Sequence, residues 1–423
     1  LVDYVDEHGI RLLFTVNTNS NPGNVAFGLA LVLASETSGV VVINNNHDFY
    51  WEGGKAGCKR NPGEQPGPRD HFFRNHDNED FFSFFQRIYP WNGRRWAQVD
   101  INSLQSRRLI DRFHFPPDRV FTIGTGVDPA FFRDRTADVR QRCRESMSRV
   151  LGGDPAVAAV PVDTFVERIG DWMSDQRPVV CGDGAGRRLD MTAPDAIVLL
   201  QPTRIVERKR IWKDWELIGA LLRHPPFREV FEQRSTLTLT LQITGPVPIE
   251  HRDCLETVIE SFRAVLADLP DEIGARVFLA LSAGWQSHPS LDEDIDIVDI
   301  YQLADLVVFP SQTEGRGLPI VEASAAGVPI VCSRYEPHAV FAEVVGEHLP
   351  ATDQVDFELF PETPGEFDPD LLDRLARILL DPATQAERIA HNREAVLHRY
   401  SFDALQASIE AVVGRLESTV KGH

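Results

Sequence analysis

No apolar run in the chain approaches the roughly 20 residues that a membrane-spanning helix needs. Its opening, Leu1-Val2-Asp3-Tyr4-Val5-Asp6-Glu7, is acidic where a secretory leader would be apolar. The sequence therefore reads as a cytoplasmic chain without a membrane span. Cysteine is sparse and odd in number: Cys58, Cys143, Cys181, Cys254 and Cys332 are scattered and form no C-x-x-C pair. That argues against a disulfide framework and against a structural zinc site. Positive charge is short as well, with 43 Lys and Arg against 63 Asp and Glu, a formal net charge of −20. A general nucleic-acid binder carries the opposite balance, so no nucleic-acid partner is expected, and any phosphate ligand must be met by a local basic cluster. No short-period repeat is present, which excludes a solenoid.

What remains is a globular composition, 43% hydrophobic and 25% charged over 423 residues, enough for two or three domains. Arg11–Val16 and Val40–Ile43 read as buried parallel strands, with a helix over Asn24–Ser35 between them, a βαβ unit. Residues 53–80 read as a long loop. Asp100–Phe113 reads as a strand end leading into a helix, and Val120–Ile123 as another strand. From Ala196 a second alternating series begins. Strands are predicted at Ala196–Leu200, Leu237–Thr244, Arg276–Leu281, Leu306–Phe309 and Pro329–Cys332, separated by helical patterns, which makes a doubly wound α/β domain. The last helix is predicted over Ser401–Leu416, with Ser401 as its N-cap.

Three stretches carry chemistry. The first is Pro310-Ser311-Gln312-Thr313-Glu314-Gly315-Arg316-Gly317-Leu318-Pro319-Ile320-Val321-Glu322, which follows a strand and leads into a helix. Strand carboxyl ends are where α/β ligand sites form. Gly315 and Gly317 allow close backbone approach, and the helix beginning near Leu318 aims free N–H groups and its positive end at that space, a phosphate cradle. Glu314 and Glu322 beside such a cradle suit hydroxyl groups, as of a sugar and a ribose. An ordinary strand–loop–helix shares the bare E-x7-E spacing; the strand, the glycines and the following Ala323–Pro329 set this one apart. The second stretch is Gln201–Arg210, with Arg204, Arg208, Lys209 and Arg210 after a strand. It is either a solvated basic loop or the compensation a nucleotide diphosphate needs. The third is Asn44–Glu52, where His47 and Asp48 either contact a sugar hydroxyl or form a structural pair in a turn.

The Pro310–Glu322 segment resembles the E-x7-E signature of family 4 glycosyltransferases, retaining enzymes of the GT-B fold. The resemblance implies that Glu314 meets the donor hexose, that Glu322 meets the ribose, and that backbone N–H groups at Gly317 and Leu318 meet the diphosphate. Arg316 stands where that family more often has an aromatic or apolar residue. Arg204 and Lys209 match the family's Arg and following Lys and are implied as the diphosphate clamp; Arg208 and Arg210 receive no role. The string HDFYWE at 47–52 resembles a subset of the same family acting on small polar acceptors, including sugar–glycerate types, although Gly53-Gly54 follows where an Arg is usual. Asn17–Pro22, Ile101-Asn102-Ser103 and Gly124-Thr125-Gly126-Val127-Asp128 extend the likeness. It covers most of residues 10–132 and 196–418 and leaves 134–190 without a counterpart.

These readings imply an α/β chain of the GT-B class, two Rossmann-like doubly wound domains facing a cleft. The expected domains are 1–190, with 134–190 unassigned; 191–400, binding the nucleotide sugar at Arg204, Lys209, Glu314, Gly315, Gly317, Leu318 and Glu322; and 401–423, a helix crossing back. His47, Asp48 and Glu314 are the expected catalytic residues. The expected reaction moves a hexose from a nucleotide diphosphate sugar to a small polar or sugar acceptor with retention, without a cofactor or metal. A disaccharide phosphorylase and a non-catalytic sugar-nucleotide-binding protein are the alternatives. Asp292-Glu293-Asp294 has the D-x-D form but reads as a solvated helix start, Gly182–Gly186 as a chance glycine cluster, and His71 and His76 lack ligand spacing. Because residues 1–16 look like a later part of a Rossmann-like domain, a further strand–helix unit is expected upstream or from another chain. Self-association through the bare sheet edge, as a homo-oligomer, follows from that expectation.

Overall fold

A computed structural model of the chain describes residues 1–22, 24–52, 79–283, 295–363 and 365–421. It divides into two compact units, Leu1–Gly126 with Phe402–His423, and Val127–Ser401.

Among the described residues, the first unit has four parallel strands in the order β1 (Leu12–Val16), β2 (Val41–Asn46), β3 (Trp96–Asp100) and β4 (Val120–Thr122). The helix Val2–Glu7 precedes β1. The helix Val25–Ser38 starts where the Asn24 side chain accepts from Phe27 N at 3.0 Å and stops at Gly39, whose φ of 74° is left-handed. The strand β2 runs three residues past the predicted Ile43. Its asparagines survive inside a sheet because they satisfy one another: Asn44 Nδ2 donates to Asn46 Oδ1 (2.7 Å) and to Gln98 Oε1 (2.9 Å), and Asn46 Nδ2 donates to Asp100 Oδ1 (2.8 Å). One face of the sheet is covered by the helix Phe402–Lys421, whose Val412 and Leu416 pack on Ile43, Ala97 and Val99.

The second unit begins 64 residues earlier than the predicted start at 191, at Val127. The segment 134–190 belongs here and not with the N-terminal domain. The short strands β5 (Val157–Ala158) and β6 (Val160–Pro161), β7 (Val179–Gly182) and β8 (Arg188–Leu189) lie in this stretch. After them come β9 (Ala196–Gln201), β10 (Thr238–Ile243), β11 (Val277–Leu281), β12 (Leu306–Phe309), β13 (Ile330–Cys332) and β14 (Glu358–Leu359). The sheet order is β14-β13-β12-β9-β10-β11-β7-β6, with β7 antiparallel to β11 and β5 paired separately with β8. The helix Ala137–Val150 is fastened by buried Arg144, which donates to the carbonyls of Leu303 (3.1 Å), Met191 (3.2 Å) and Ala196 (3.0 Å) and to Asp305 Oδ2 (2.7 Å). A buried guanidinium with that many acceptors ties the segment to the starts of β9 and β12. The central strands β9–β12 are buried on both sides, and β9, β11 and β12 are nearly continuous apolar runs, as parallel sheets covered by helices require.

Candidate functional site

Strand order in the second unit decides where its ligand sits. β9 is flanked by β10 on one side and by β12 on the other, so the chain reverses its direction of winding beside β9. Crevices outside strand carboxyl ends at such a reversal are the usual ligand sites of open α/β sheets. The loops leaving β9 and β12 are the basic stretch 202–210 and the Glu314 loop. They are about 100 residues apart in sequence, yet they meet because Leu306 and Val307 pair with Leu199 and Leu200.

The contact is an ion-pair cluster. Lys209 Nζ donates to Glu314 Oε1, and Arg208 Nη1 donates to Glu314 Oε2 at 3.2 Å and to the Thr313 carbonyl at 2.7 Å. The Glu314 carboxylate is only 7% exposed, and Lys209 is nearly as enclosed, with its ammonium 5.3 Å from the centre of the Phe309 ring. Burial pulls the Lys209 pKa down, and the Arg208 and Arg204 charges add to that, while Glu314 opposes it. Arg204 is exposed on the same loop. Two predicted functions, diphosphate clamp and hexose carboxylate, thus occupy each other.

The cradle itself is well defined. Gly317 is the N-cap of the helix Leu318–Ala326 with φ 76° and ψ 43°, and no side chain caps that end. A Cβ at Gly317 would come within 2.3 Å of Tyr335 Oη, so a close approach as well as the positive φ requires glycine. Tyr335 Oη donates to the Arg316 carbonyl at 2.9 Å. The Arg316 guanidinium lies 5.3 Å from the centre of the Tyr400 ring and 3.7 Å from Glu343 Oε2. The loop is further fixed by Glu314 N donating to the Glu336 carbonyl (2.9 Å) and Glu336 N donating to the Gln312 carbonyl (2.8 Å). One turn into the helix, the Glu322 carboxylate accepts from Tyr301 Oη at 2.7 Å. Burial raises the Glu322 pKa, and the Tyr301 bond opposes that rise.

Three supporting residues were not legible as such. Arg210, a member of the basic run without a predicted role, donates through Nε to the Pro310 carbonyl (2.8 Å) and through Nη2 to the Ser311 carbonyl and Ser333 Oγ (both 3.2 Å). It stitches together the loops after β9, β12 and β13. Tyr335 and Tyr301 are remote from the motifs in sequence, and nothing but their aromatic character marks them.

His47 and Asp48 belong to the first unit, and Arg204, Lys209, Glu314 and Glu322 to the second. Asn17, at φ 53°, accepts from both His47 N (2.8 Å) and Asp48 N (3.1 Å) through Oδ1. Gln105 Nε2 donates to the His47 carbonyl (3.2 Å) and to Glu52 Oε2 (3.0 Å). The His47 ring contacts Asn45 Nδ2 at 3.2 Å. The turn is thus held by Asn17 and Gln105, at the carboxyl end of β2. Asp292–Asp294, His71, His76 and Gly53-Gly54 lie outside the described residues. Gly182–Gly186 closes β7 and carries no helix start. Four of the cysteines, Cys143, Cys181, Cys254 and Cys332, are free and buried. Among the described residues no helix is long and apolar enough to cross a membrane.

The class that fold and site define is a two-unit α/β protein of the GT-B type. Residues 281–352, which include the whole Glu314–Glu322 loop and helix, match the family described as Glycosyl transferases group 1. The chain is 37% identical over 292 residues to a D-inositol 3-phosphate glycosyltransferase from Saccharomonospora viridis, covering 69% of this chain and 48% of that protein. It is 26% identical over 226 residues to the mannosylglucosylglycerate synthase of Thermotoga maritima, covering 51% of this chain and 48% of the relative. The chain thus spans about half the length of these curated relatives. The solved structure of a glycosyltransferase from Rickettsia africae superimposes with a TM-score of 0.55 at 12% identity, covering 98% of this chain and 79% of that one.

Proposed function

We propose that the chain is a retaining glycosyltransferase that moves a hexose from a nucleotide diphosphate sugar to a hydroxyl of a small polar or sugar acceptor. The observation that carries this reading is the convergence of Arg204, Arg208, Lys209, Glu314 and the uncapped helix at Gly317 outside the carboxyl ends of the paired strands β9 and β12. A diphosphate entering this space draws Lys209 and Arg204 to its oxygens and meets the free N–H groups at Gly317 and Leu318. Lys209 then leaves Glu314, whose carboxylate is released to accept from a hexose hydroxyl, while Gly315 lets the sugar lie against the backbone. Glu322 accepts from the ribose.

In the reaction the bond between the anomeric carbon and the diphosphate oxygen breaks, and the acceptor oxygen bonds to the same face. The acceptor proton passes to the departing phosphate oxygen. Lys209, Arg204 and the helix end stabilise the charge that grows on the diphosphate, the work a metal ion does elsewhere, so no metal is assigned. His47 and Asp48 are proposed to orient the acceptor hydroxyl. The chain is proposed to act in the cytoplasm; self-association through the β1 edge remains part of this reading.

Thermal shift against UDP- and GDP-linked hexoses with a chelator present tests the donor side. The expected result is stabilisation by one nucleotide family in wild type, weakened at least about tenfold in affinity by Glu322→Ala. Glu314→Ala is expected to lower turnover more than nucleotide affinity. Turnover that needs inorganic phosphate in place of nucleotide would favour a phosphorylase. Stabilisation without turnover on any acceptor would favour a binding protein.

A further inference from the structure

The Glu322 carboxylate has two oxygens, and the fold assigns them differently. Oε2 accepts from Tyr301 Oη at 2.7 Å. Tyr301 is fully buried, on the helix Ile297–Leu303, and its ring meets Phe131 edge to face at 5.5 Å between centroids. That helix is itself anchored: Asp296 and Asp299 form its capping box, and Asp299 also takes the Arg133 guanidinium. The phenol therefore has neither a free rotation nor a free position. Burial and the adjacent Glu322 charge hold its proton on, so it acts as a permanent donor.

A carboxylate on a helix one turn from an uncapped N-terminus otherwise has rotamers to choose from. A donor fixed on Oε2 removes that choice and leaves Oε1 as the oxygen available to a ligand. A carboxylate held in one orientation discriminates a hydroxyl far better than a mobile one, because a ligand lacking the hydroxyl leaves the fixed oxygen unpaired. Resting on the reading of Glu322 given above, we infer that Tyr301 is a positioning residue that aims Glu322 Oε1 at the sugar ring of the nucleotide. On this inference the donor site prefers a nucleotide that carries its ribose hydroxyls over one that lacks both.

Calorimetric affinities for the preferred nucleoside diphosphate and its 2′,3′-dideoxy analogue test this in wild type, Tyr301→Phe and Tyr301→His. Wild type is expected to prefer the ribonucleotide by roughly tenfold or more, the loss that follows one hydrogen bond to a charged group. Tyr301→Phe should bring that preference below about threefold, and Tyr301→His, which restores an N–H donor, should recover part of it. The acid limb of ribonucleotide affinity should also move to higher pH in Tyr301→Phe, because the bond that favours the ionised carboxylate is gone. Should the phenylalanine variant fail to fold, Tyr301→Leu against Tyr301→His carries the same comparison. A Tyr301→Phe protein that melts lower yet keeps both the preference and the acid limb would make the tyrosine merely structural and overturn the inference. Wild type that binds the nucleotide without any ribose preference would instead overturn the assignment of Glu322, and wild type that binds neither nucleotide would overturn the donor reading itself.

Discussion

Replacing Gly317 with alanine tests the cradle at its tightest point. The new Cβ would sit 2.3 Å from Tyr335 Oη, 2.7 Å from Cζ and 2.9 Å from Cε1. The ring cannot swing aside, because Tyr335 is fully buried and meets Phe341 edge to face at 5.2 Å and Phe309 at 6.1 Å. A left-handed backbone at a non-glycine residue costs roughly 1–2 kcal/mol, and an overpacked methyl roughly 1–3 kcal/mol. Displacing the phenol also weakens its 2.9 Å bond to the Arg316 carbonyl, worth about 0.5–1.5 kcal/mol. These overlap, so the expected destabilisation of the second unit is about 2–5 kcal/mol, or roughly 5–15 °C in melting temperature. Gly315→Ala is the control. A Cβ there meets nothing within 4 Å, and its φ is not positive, so calorimetry should show a shift of no more than a few degrees. Equal melting temperatures for the two variants would refute the argument that Tyr335 dictates glycine at 317.

Asp100 gives a pH signature in the first unit. Burial pushes its carboxyl up to about 7, against hydrogen bonds from Asn46 and Ser106 that pull it down, while the unfolded value is about 3.9. The folded state therefore keeps a proton that the unfolded state releases, and stability falls as pH rises from about 4 to about 7 by up to ~4 kcal/mol. Asp100→Asn mimics the protonated acid and should flatten that slope; parallel melting profiles from pH 5 to 8 would contradict the assignment. Arg210→Lys retains the charge but lacks the fork that serves Pro310, Ser311 and Ser333. It should weaken nucleotide binding roughly tenfold by titration, and unchanged affinity would remove Arg210 from the site's support. Lys209→Met leaves Glu314 with Arg208 alone and should lower nucleotide affinity at least about tenfold at low salt; a wild-type affinity would mean that Lys209 serves only to neutralise Glu314.

The Glu314 loop was readable because strand, glycines and helix are contiguous, and each has a local physical reason to be there. The basic loop was readable for the same reason, at one strand end. The residues that hold these loops were not. The contacts of Arg210 depend on the β9–β12 pairing, and Tyr301 and Tyr335 approach the site only through tertiary packing. The segment 134–190 was opaque because its strands of two to four residues carry no periodicity and its anchor, Arg144, is a charge in a helix that sequence alone places in solvent. The polar interior of the first sheet was hidden likewise: Asn44-Asn45-Asn46 looks like a loop until Gln98 and Asp100 are brought beside it.

The central claim is that the cluster after β9 and β12 binds a nucleotide diphosphate sugar and that its hexose passes to an acceptor, leaving free nucleoside diphosphate. Incubating the chain with the stabilising nucleotide sugar and a panel of polyol, sugar and sugar-acid acceptors, with chelator present, and following products by NMR tests it directly. The predicted result is free nucleoside diphosphate in step with a new glycoside whose anomeric configuration matches the donor. A glycoside of inverted configuration, or one formed only when inorganic phosphate or a sugar phosphate replaces the nucleotide, would contradict it.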